Sequence, residues 1–435
     1  MPRITPPMAP ARAQAISASL DLRDLPPDFY SNPYPVYAAL RQTNPVKRMP
    51  DGSVLLTRHA DLMAVYRDAA GFTSDKKLEF GPKYNQPPFG SAEAPAPLFT
   101  HHTTSLVFND PPLHTRVRKL IMGALTRRAI ADLEPGLVAL VDRLLDDVET
   151  RGGGDLIEDF ASAIPVEIIG NLLDIPHADR GPLRAWSLAI LGALEPRLTP
   201  AQEADGNRSV SEFTDYLRTL VAARRRQPGD PEHDVLTRLI QGETAGEQLS
   251  ESELLQNCVF ILNAGHETTT NLIGNALVAL QEWPEQKAWL LAAMQAHDGD
   301  DAARDALLTT AIDEFLRFES SNQLGNRRAL RACTIGGVQL PEGALVTLCI
   351  GAANRDPAQF TDPDTLDLAR TDNRHLAFGL GIHQCAGLSL ARLEGRVAIG
   401  RFLARFPGYR LTASPTRGGR ARFRGFLRAP FSITA

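Results

Sequence analysis

The chain has 435 residues, of which 43% are hydrophobic and 22% charged, a balance typical of a folded globular protein. Its formal net charge of −5 gives no global attraction to nucleic acid or to anionic membranes. The apolar runs are all far shorter than the roughly 18 residues that span a bilayer, and the N-terminus lacks the apolar core of a signal peptide. The composition therefore predicts a cytoplasmic protein with no membrane anchor and no nucleic-acid partner.

The four cysteines lie far apart, with no CxxC pair. We expect Cys258, Cys333 and Cys349 to be reduced thiols that serve as small core residues. The fourth, Cys385, stands in a glycine-rich segment and calls for another explanation.

The first quarter of the chain predicts little regular structure. Residues 1–20 are rich in alanine and proline and predict a flexible tail. A hairpin follows, in which residues 46–48 and 54–57 flank an Asp51-Gly52 turn. Residues 75–109 contain many prolines and glycines and show no periodicity, which is typical of a functional lid or binding loop.

The sequence from residue 112 onward predicts mainly helices. Residues 112–174 show helical spacing, divided at Pro165. A polar helix ends at the arginines 224–226. Ser250 and Glu253 form a capping box that opens a long helix over residues 250–280.

Further helices are predicted over residues 301–318 and from the glycine-rich loop through Leu403, with strands and a turn at 341–343 between them. No repeat or linker divides the chain. The predicted fold class is mainly α with small β-sheets (α+β), with one large domain over residues 21–435.

The strongest motif is FGLGIHQCAG at residues 378–387. Its glycines allow the backbone to turn tightly around the Cys385 sulfur, and the helix that follows contributes its positive end. Both features favour a thiolate, which on haem iron donates electrons toward the opposite ligand and favours O–O cleavage. The alternative is a buried structural cysteine beside a helix N-terminus.

A second motif, AGHET at residues 264–268, lies in the middle of the predicted long helix. Ala264 and Thr268 share one face, and Gly265 leaves that face without bulk for a diatomic ligand. A hydroxyl beside a carboxylate can relay protons into a dry site. The alternative is that Thr268 bonds back to a helix carbonyl and Glu267 is solvated.

Two further patterns place charged side chains together. Glu314 and Arg317 are three residues apart on a helix, a spacing that by itself is common. His114 and Arg118 are four residues apart on a helix that opens with proline, so both can meet one anion. The alternative for the latter is a basic surface stripe.

These segments resemble the cytochrome P450 family over residues 21–435. Residues 378–387, followed by Leu390, Ala391 and Glu394, are similar to its cysteine-ligand loop, and residues 264–268 to its oxygen-activation motif. The Glu314–Arg317 pair is similar to its ExxR element, which implies a structural role. The resemblance implies the fold of that family, with a thiolate-ligated haem b between the long central helix and the cysteine loop.

The resemblance also implies roles for individual residues. Cys385 would bind the iron, and Glu267 and Thr268 would deliver protons during oxygen activation. Cofactor contacts are implied for His114, Arg118, Ala264, Gly265, Arg327, His375, Phe378, Gly379, His383, Cys385 and Gly387. Arg327 is preferred to Arg328 by counting back from the Gly336-Gly337 pair.

The implied activity is a monooxygenase that inserts one atom of O₂ into a lipophilic small molecule. Because the chain shows no flavin- or iron–sulfur-binding motif, the electrons are expected from a separate ferredoxin and its NAD(P)H-dependent reductase. One alternative is a peroxide-driven peroxygenase on the same fold, a class that typically lacks the acid–alcohol pair. Another is a non-catalytic haem protein, such as a gas sensor.

Three amides are candidate substrate contacts. Asn263 precedes the oxygen-activation motif, and Asn322 and Gln323 lie in a segment that borders the substrate in the family, where Ser321 replaces a frequent proline. Unpaired buried amides cost about 1–3 kcal/mol each. We therefore expect a mainly apolar substrate with a carboxylate, hydroxyl or carbonyl group. The alternative is that the amides bond to each other, to backbone or to water.

A local basic face is predicted on the helix that carries His114. Its candidate residues are Arg116, Lys119, Arg127 and Arg128. An acidic ferredoxin would be steered to such a face in spite of the acidic whole.

Overall fold

A computed structural model describes residues 8–77, 95–231, 234–242 and 248–433. Within these residues the chain is mainly helical, with small sheets. The α-helices are Pro10–Ser19, Pro27–Ser31, Tyr34–Thr43, His59–Arg67, Pro97–Thr104, Leu113–Ala124, Arg127–Arg151, Ala163–Leu172, Leu183–Gly192, Pro200–Arg226, Val235–Gln241, Glu251–Glu282, Pro284–Ala296, Asp301–Phe318, Ile350–Ala353 and Leu388–Arg405.

The strands are short and lie mostly toward the two ends of the chain. They are β1 Val46–Arg48, β2 Val54–Leu56, β3 Phe72–Thr73, β4 Gly153–Asp155, β5 Leu324–Ala329, β6 Cys333–Ile335, β7 Val338–Leu340, β8 Leu345–Cys349, β9 Arg410–Leu411, β10 Thr416–Arg417, β11 Phe426–Arg428 and β12 Pro430–Ser432.

Contacts group the chain into two compact units. The first unit contains Met1–Gly71, Pro135–Ile164 and Thr268–Ala435. The second contains Phe72–Glu134 and Pro165–Glu267. The assignment of residues 21–435 to one domain stays a prediction.

The main sheet of the first unit is built around the predicted hairpin. β1 pairs with β2 in antiparallel register, β2 pairs with β8 in parallel, and β8 pairs with β5 in antiparallel. At the turn, Asp51 accepts hydrogen bonds from the backbone and hydroxyl of Ser53 at 3.0 and 2.6 Å, and Gly52 adopts a φ of 82°. The hairpin prediction is therefore confirmed.

The N-terminal segment differs from the flexible tail that its composition predicted. Pro10–Ser19 forms a helix that packs on Tyr34–Thr43, with Ala13 and Ser17 buried. Small side chains four residues apart allow this close approach, and proline suits the first turn of a helix. The tail prediction was therefore wrong for residues 10–19.

The predicted loop over residues 75–109 is partly helical. Pro97–Thr104 is an α-helix and Leu106–Phe108 a 3₁₀ turn, while residues 78–94 lie outside the described part of the chain. Distant amides hold this structure, because the backbone N–H groups of Leu98 and Leu106 donate to Asn207 and Asn257 at 3.0 and 2.9 Å. Such long-range caps leave no periodic signal in the sequence.

The helical region after residue 112 breaks at a different place from the one predicted. Pro165 lies in the first turn of Ala163–Leu172, where its missing N–H costs nothing. The helices break instead at residues 125–126 and again at β4, where Gly153 and Gly154 adopt φ values of 151° and 158°. A Cβ on Gly153 would overlap the backbone of β12.

The long central helix begins as predicted. The hydroxyl of Ser250 accepts from the backbone N–H of Glu253 at 3.2 Å, and the Glu253 carboxylate accepts from the Ser250 N–H at 2.8 Å. The helix then continues to Glu282. Among the described residues, no helix combines the length and the apolar character that crossing a membrane requires.

Candidate functional site

The cysteine loop depends on glycine at two positions. Gly379 and Gly381 adopt φ values of 64° and 73°, a region that other residues rarely enter. A Cβ on Gly381 would also overlap the carbonyl oxygen of Tyr66. The turn closes where the N–H of Cys385 donates to the carbonyl of Phe378 at 2.8 Å.

The surface around Cys385 fits a flat apolar cofactor with a thiolate ligand. Cys385 is only partly buried and lies directly before the helix Leu388–Arg405, whose positive end favours a thiolate. Its apolar neighbours Phe378, Leu380 and Ala386 are also only partly buried. A Cβ on Gly387 would meet no atom within 4 Å. The donor and the open apolar rim together match haem.

The other cysteines differ from Cys385. Cys258 and Cys349 are buried, and burial raises the pKa of each thiol to about 12. They are inert core residues, as predicted. Cys333 is partly exposed at the start of β6, so its assignment to the core was wrong.

Phe378 is held by a small charged cluster. The Arg392 guanidinium lies 4.9 Å from the centre of its ring, and the His375 ring lies 5.7 Å away. Asp313 accepts from Arg392 at 2.8 Å. Burial acts to raise the pKa of Asp313, but hydrogen bonds from His375 and Arg392 outweigh it and lower that pKa.

His375 faces its own chain. Its Nδ1 accepts from the N–H of Ala377 at 3.2 Å, and Nε2 lies 3.4 Å from the Asp313 carboxylate. With Nδ1 as an acceptor, the proton is on Nε2 and points to Asp313. Both nitrogens are thus engaged. This geometry gives His375 a part in orienting the loop, and its predicted cofactor contact stays a prediction.

The geometry of β5 favours Arg327 over Arg328 as the cofactor contact. Arg328 donates to the carbonyl of Gly343 at 2.8 Å. The guanidinium of Arg327 instead lies over the ring of Tyr66, 5.4 Å from its centre. The carbonyl of Tyr66 lies against Gly381, so Arg327 is on the side of the cysteine loop.

Glu314 and Arg317 form a buried ion pair with both side chains at 0% exposure. Two parallel hydrogen bonds of 2.7 and 2.8 Å join them. The remaining guanidinium N–H groups donate to the backbone carbonyls of Asn354, Pro363 and Thr365. The pair therefore pins the chain that leads to the cysteine loop, in line with its predicted structural role.

One face of the central helix is uncovered in an otherwise buried stretch. Between Leu254 and Leu280, the residues that are not buried are Phe260, Ile261, Ala264, Gly265 and Thr268. Their spacing of three and four residues puts them on one side of the helix. We call this side the open face. Ala264 is exposed, whereas the other four residues of the open face are only partly exposed.

The absence of a side chain at Gly265 has a second reason besides the one predicted. A Cβ there would lie 2.7 Å from the Cδ1 atom of Ile169 on the helix Ala163–Leu172. Glycine therefore permits close packing of these two helices as well as leaving the open face short of bulk.

Glu267 and Thr268 occupy different environments. Glu267 is 5% exposed, so the alternative that it is solvated was wrong. Thr268 is partly exposed on the open face. The hydroxyl of Ser321 donates to the carbonyl of Thr268 at 2.8 Å, a contact that proline at position 321 could not make.

The predicted propionate contacts are distributed over both units. His114 is buried and Arg118 partly exposed one turn later, on Leu113–Ala124 in the second unit. Arg327 and the partly exposed His383 lie in the first unit. Their roles toward a cofactor stay predictions.

The three candidate substrate amides separate into different classes. Gln323 is 1% exposed and its amide donates to the carbonyl of Ser320 at 2.7 Å, while its role toward a substrate stays a prediction. Asn322 is partly buried, and its backbone forms an isolated antiparallel β-bridge with that of Phe423. Asn263 is 2% exposed and lies 3.3 Å from His101.

Sequence reasoning missed several residues of this region. Tyr66, His101, Asp313 and Ser321 support predicted site residues, yet none stands in a recognisable motif. The only signal was the departure from the family pattern at Ser321. The others contact their partners across long stretches of chain, which a single sequence does not reveal.

Comparisons with known proteins agree with the geometry. A family model described as Cytochrome P450 matches residues 193–415. Vitamin D(3) 25-hydroxylase of Pseudonocardia autotrophica is 38% identical over 384 residues, which cover 87% of this chain and 87% of that protein. The cytochrome P450 monooxygenase PikC of Streptomyces venezuelae is 34% identical over 402 residues, covering 91% and 89%.

Solved structures give the same result. The crystal structure of P450BioI in complex with hexadec-9Z-enoic acid ligated acyl carrier protein has a TM-score of 0.83 and 31% identity, and covers 94% of this chain and 100% of that one. The predicted fold class, mainly helical with small sheets, is thereby confirmed. With relatives above 30% identity along most of its length, the chain belongs to the cytochrome P450 family of monooxygenases, whose members bind haem through a cysteine thiolate.

Proposed function

We propose that this protein is a haem-thiolate monooxygenase that inserts one atom of O₂ into a mainly apolar organic substrate, with Cys385 as the iron ligand. The observation that carries the proposal is the loop 378–387, which presents Cys385 partly exposed, inside a rim of partly exposed apolar side chains. Haem bound there would supply O₂ activation, and the thiolate would strengthen it by electron donation.

Glu267 and Thr268 would move the protons that the reaction consumes. The buried Glu267 carboxyl is removed from bulk water, and the Thr268 hydroxyl on the open face can pass a proton onward. The Ser321 hydroxyl fixes the backbone of Thr268 and thereby the direction of its side chain. His114, Arg118, Arg327 and His383 would hold the haem propionates.

Electrons would come from a separate ferredoxin and its reductase through a local basic surface. Lys119, Arg127 and Arg128 are exposed, and Met122 among them is 39% exposed. Arg116 is less exposed than these three and lies 2.6 Å from Glu253 in an ion pair. We therefore reduce the predicted basic face to the three exposed cations around Met122.

The test of the iron ligand is the absorption spectrum of the reduced protein with CO. Wild type should show the red-shifted Soret band that marks a thiolate opposite CO, and Cys385→Ser should lose it. Cys333→Ser, at the other partly exposed cysteine, is the matched control and should keep the band. A wild-type spectrum with only the band of a neutral ligand would overturn the proposal.

A second measurement separates the monooxygenase from a peroxygenase. With a surrogate ferredoxin, its reductase and a substrate found by visible-spectrum binding, NADH oxidation should yield oxidised product when catalase is present. Product that forms only with added peroxide would favour the peroxygenase instead.

A further inference from the structure

A chain of hydrogen bonds is buried within the second unit. Ser105, His101, Gln256 and Asn263 are each 5% exposed or less. His101 Nδ1 lies 3.1 Å from the Ser105 hydroxyl and 3.1 Å from Gln256 Oε1. On the other side of the ring, His101 Nε2 lies 3.3 Å from Asn263 Nδ2.

The position of the protons in this chain follows from Ser105. Its hydroxyl has a single proton and two backbone acceptors, the carbonyl of His101 at 2.6 Å and that of Gln256 at 3.3 Å, of which the nearer takes the proton. Toward His101 Nδ1 the same oxygen can therefore only accept. Nδ1 must carry a proton, which it shares with Ser105 and Gln256. Burial lowers the pKa of His101 to about 4, so the ring is neutral and Nε2 has a lone pair.

The tautomer of His101 fixes the amide of Asn263. Because Nε2 is an acceptor, Asn263 must present its N–H to it and turn Oδ1 away. That oxygen is buried and has no hydrogen-bond partner among the described residues. An unpaired buried acceptor costs about 1–3 kcal/mol. These hydrogen bonds thus hold the Asn263 oxygen in a defined orientation, while no described residue donates to it.

Asn263 lies beside the open face. Ala264 follows it directly, and Phe260 lies about one turn before it on the same helix. A ligand lying along these two residues would be next to the Asn263 side chain.

We propose that Asn263 is a specificity-determining residue whose Oδ1 accepts a hydrogen bond from a hydroxyl group of the substrate. This inference rests on the proposed monooxygenase and narrows its substrate class. A ketone brings a second acceptor and no proton, and a carboxylate adds a charge that this buried oxygen repels. Of the three groups that the sequence allowed, only the hydroxyl has the required donor.

The first test measures binding by the haem Soret shift with matched probes. Each set places an alcohol, a ketone and a carboxylic acid on the same ring system or the same chain length: 2-decalol with 2-decalone and decalin-2-carboxylic acid, and 2-dodecanol with 2-dodecanone and dodecanoic acid. For the skeleton that binds best, the alcohol should bind about tenfold more tightly than the ketone or the acid. Equal or tighter binding of the ketone or acid, or no binding of either alcohol, overturns the proposal.

Two variants separate recognition from scaffolding. Asn263→Leu should weaken alcohol binding about tenfold and leave ketone binding unchanged. His101→Phe removes the group that orients the amide, which can then rotate and present N–H. Ketone binding should therefore improve severalfold while alcohol binding stays near wild type. Parallel losses for both ligands in both variants would show that the cluster is only scaffold.

A third measurement needs no ligand in the open face. In the reduced, CO-bound protein, which is diamagnetic, ¹⁵N shifts of labelled histidine report the tautomer of each ring. The signal that disappears in His101→Phe should be that of a neutral ring with the proton on Nδ1. A proton on Nε2 would reverse the Asn263 amide and overturn the proposal. A normal CO band in the same sample shows that such a failure does not extend to the proposed function.

Discussion

Two buried polar clusters in this protein, an ion pair at Glu314 and Arg317 and a set of neutral side chains around His101, differ in how completely their hydrogen bonds are made. Around Arg317, each of the five guanidinium N–H groups has an acceptor, and Glu314 accepts further bonds from Arg370 and Asn373. Around His101, the hydrogen bonds run in sequence to Asn263 and stop at an oxygen that has no partner within the described part of the chain.

The difference indicates what each cluster is for. A buried ion pair is stabilising only when nearly all its polar atoms are bonded, as they are at Glu314 and Arg317, so this cluster is architecture. A cluster that ends in an unpaired acceptor has lost stability at that atom. Such an atom can recover its hydrogen bond only from a ligand or an ordered water.

The largest expected effect comes from breaking the complete cluster. Arg317→Ala leaves the Glu314 carboxylate buried without its main partner, which should cost about 3–5 kcal/mol in the free energy of unfolding. Urea denaturation and haem content would measure the loss. Arg304→Ala is the matched control, because Arg304 and Asp301 have the same spacing on the same helix but are exposed. Equal losses in both variants would contradict the assignment of Arg317 to architecture.

Thr268 should show the converse behaviour, with large effects on chemistry and small ones on stability. Thr268→Ala should lower product formed per NADH by about tenfold or more, because a positioned proton donor is lost. NADH use should persist and peroxide should rise, while urea denaturation stays near wild type. Thr269→Ala, which removes the neighbouring hydroxyl at a position 2% exposed, is the control for a general effect on the helix. Unchanged coupling in Thr268→Ala would place the proton path elsewhere.

A smaller effect is expected from two charged residues on one helix that differ in exposure, the exposed Lys119 and the partly exposed Arg116. Lys119→Gln should slow reduction by ferredoxin severalfold, and the wild-type rate should fall as salt shortens the screening length to about 8 Å at physiological strength. Arg116→Gln should change the rate less, because Glu253 already offsets that charge. Stopped-flow reduction rates that do not depend on salt would exclude the basic surface.

The smallest expected effect concerns Ser321. Ser321→Ala removes one neutral hydrogen bond to the Thr268 carbonyl, worth about 0.5–1.5 kcal/mol. We expect the peroxide formed per NADH to rise about twofold, with the CO band unchanged. Ser321→Thr keeps the hydroxyl and should restore wild-type coupling. If the alanine variant couples like wild type, the Ser321 contact serves packing alone.

Sequence alone determined the parts of this protein that depend on neighbouring residues. The turn at Asp51-Gly52, the capping box at Ser250 and the glycines of the cysteine loop all follow from backbone rules that act over a few positions. The motif spacing around Cys385 was specific enough to indicate the family. These features need no knowledge of what lies across the fold.

Tertiary structure decided the features that join distant residues. His101 and Asn263 are 162 positions apart, and the helix Pro97–Thr104 that carries His101 is capped from Asn207. No local pattern predicts such contacts. From the sequence alone, Asn263 could offer a ligand either its N–H as a donor or its oxygen as an acceptor. Only the hydrogen bond from Ser105 to a backbone carbonyl fixes the histidine proton, and through it the oxygen that Asn263 leaves open.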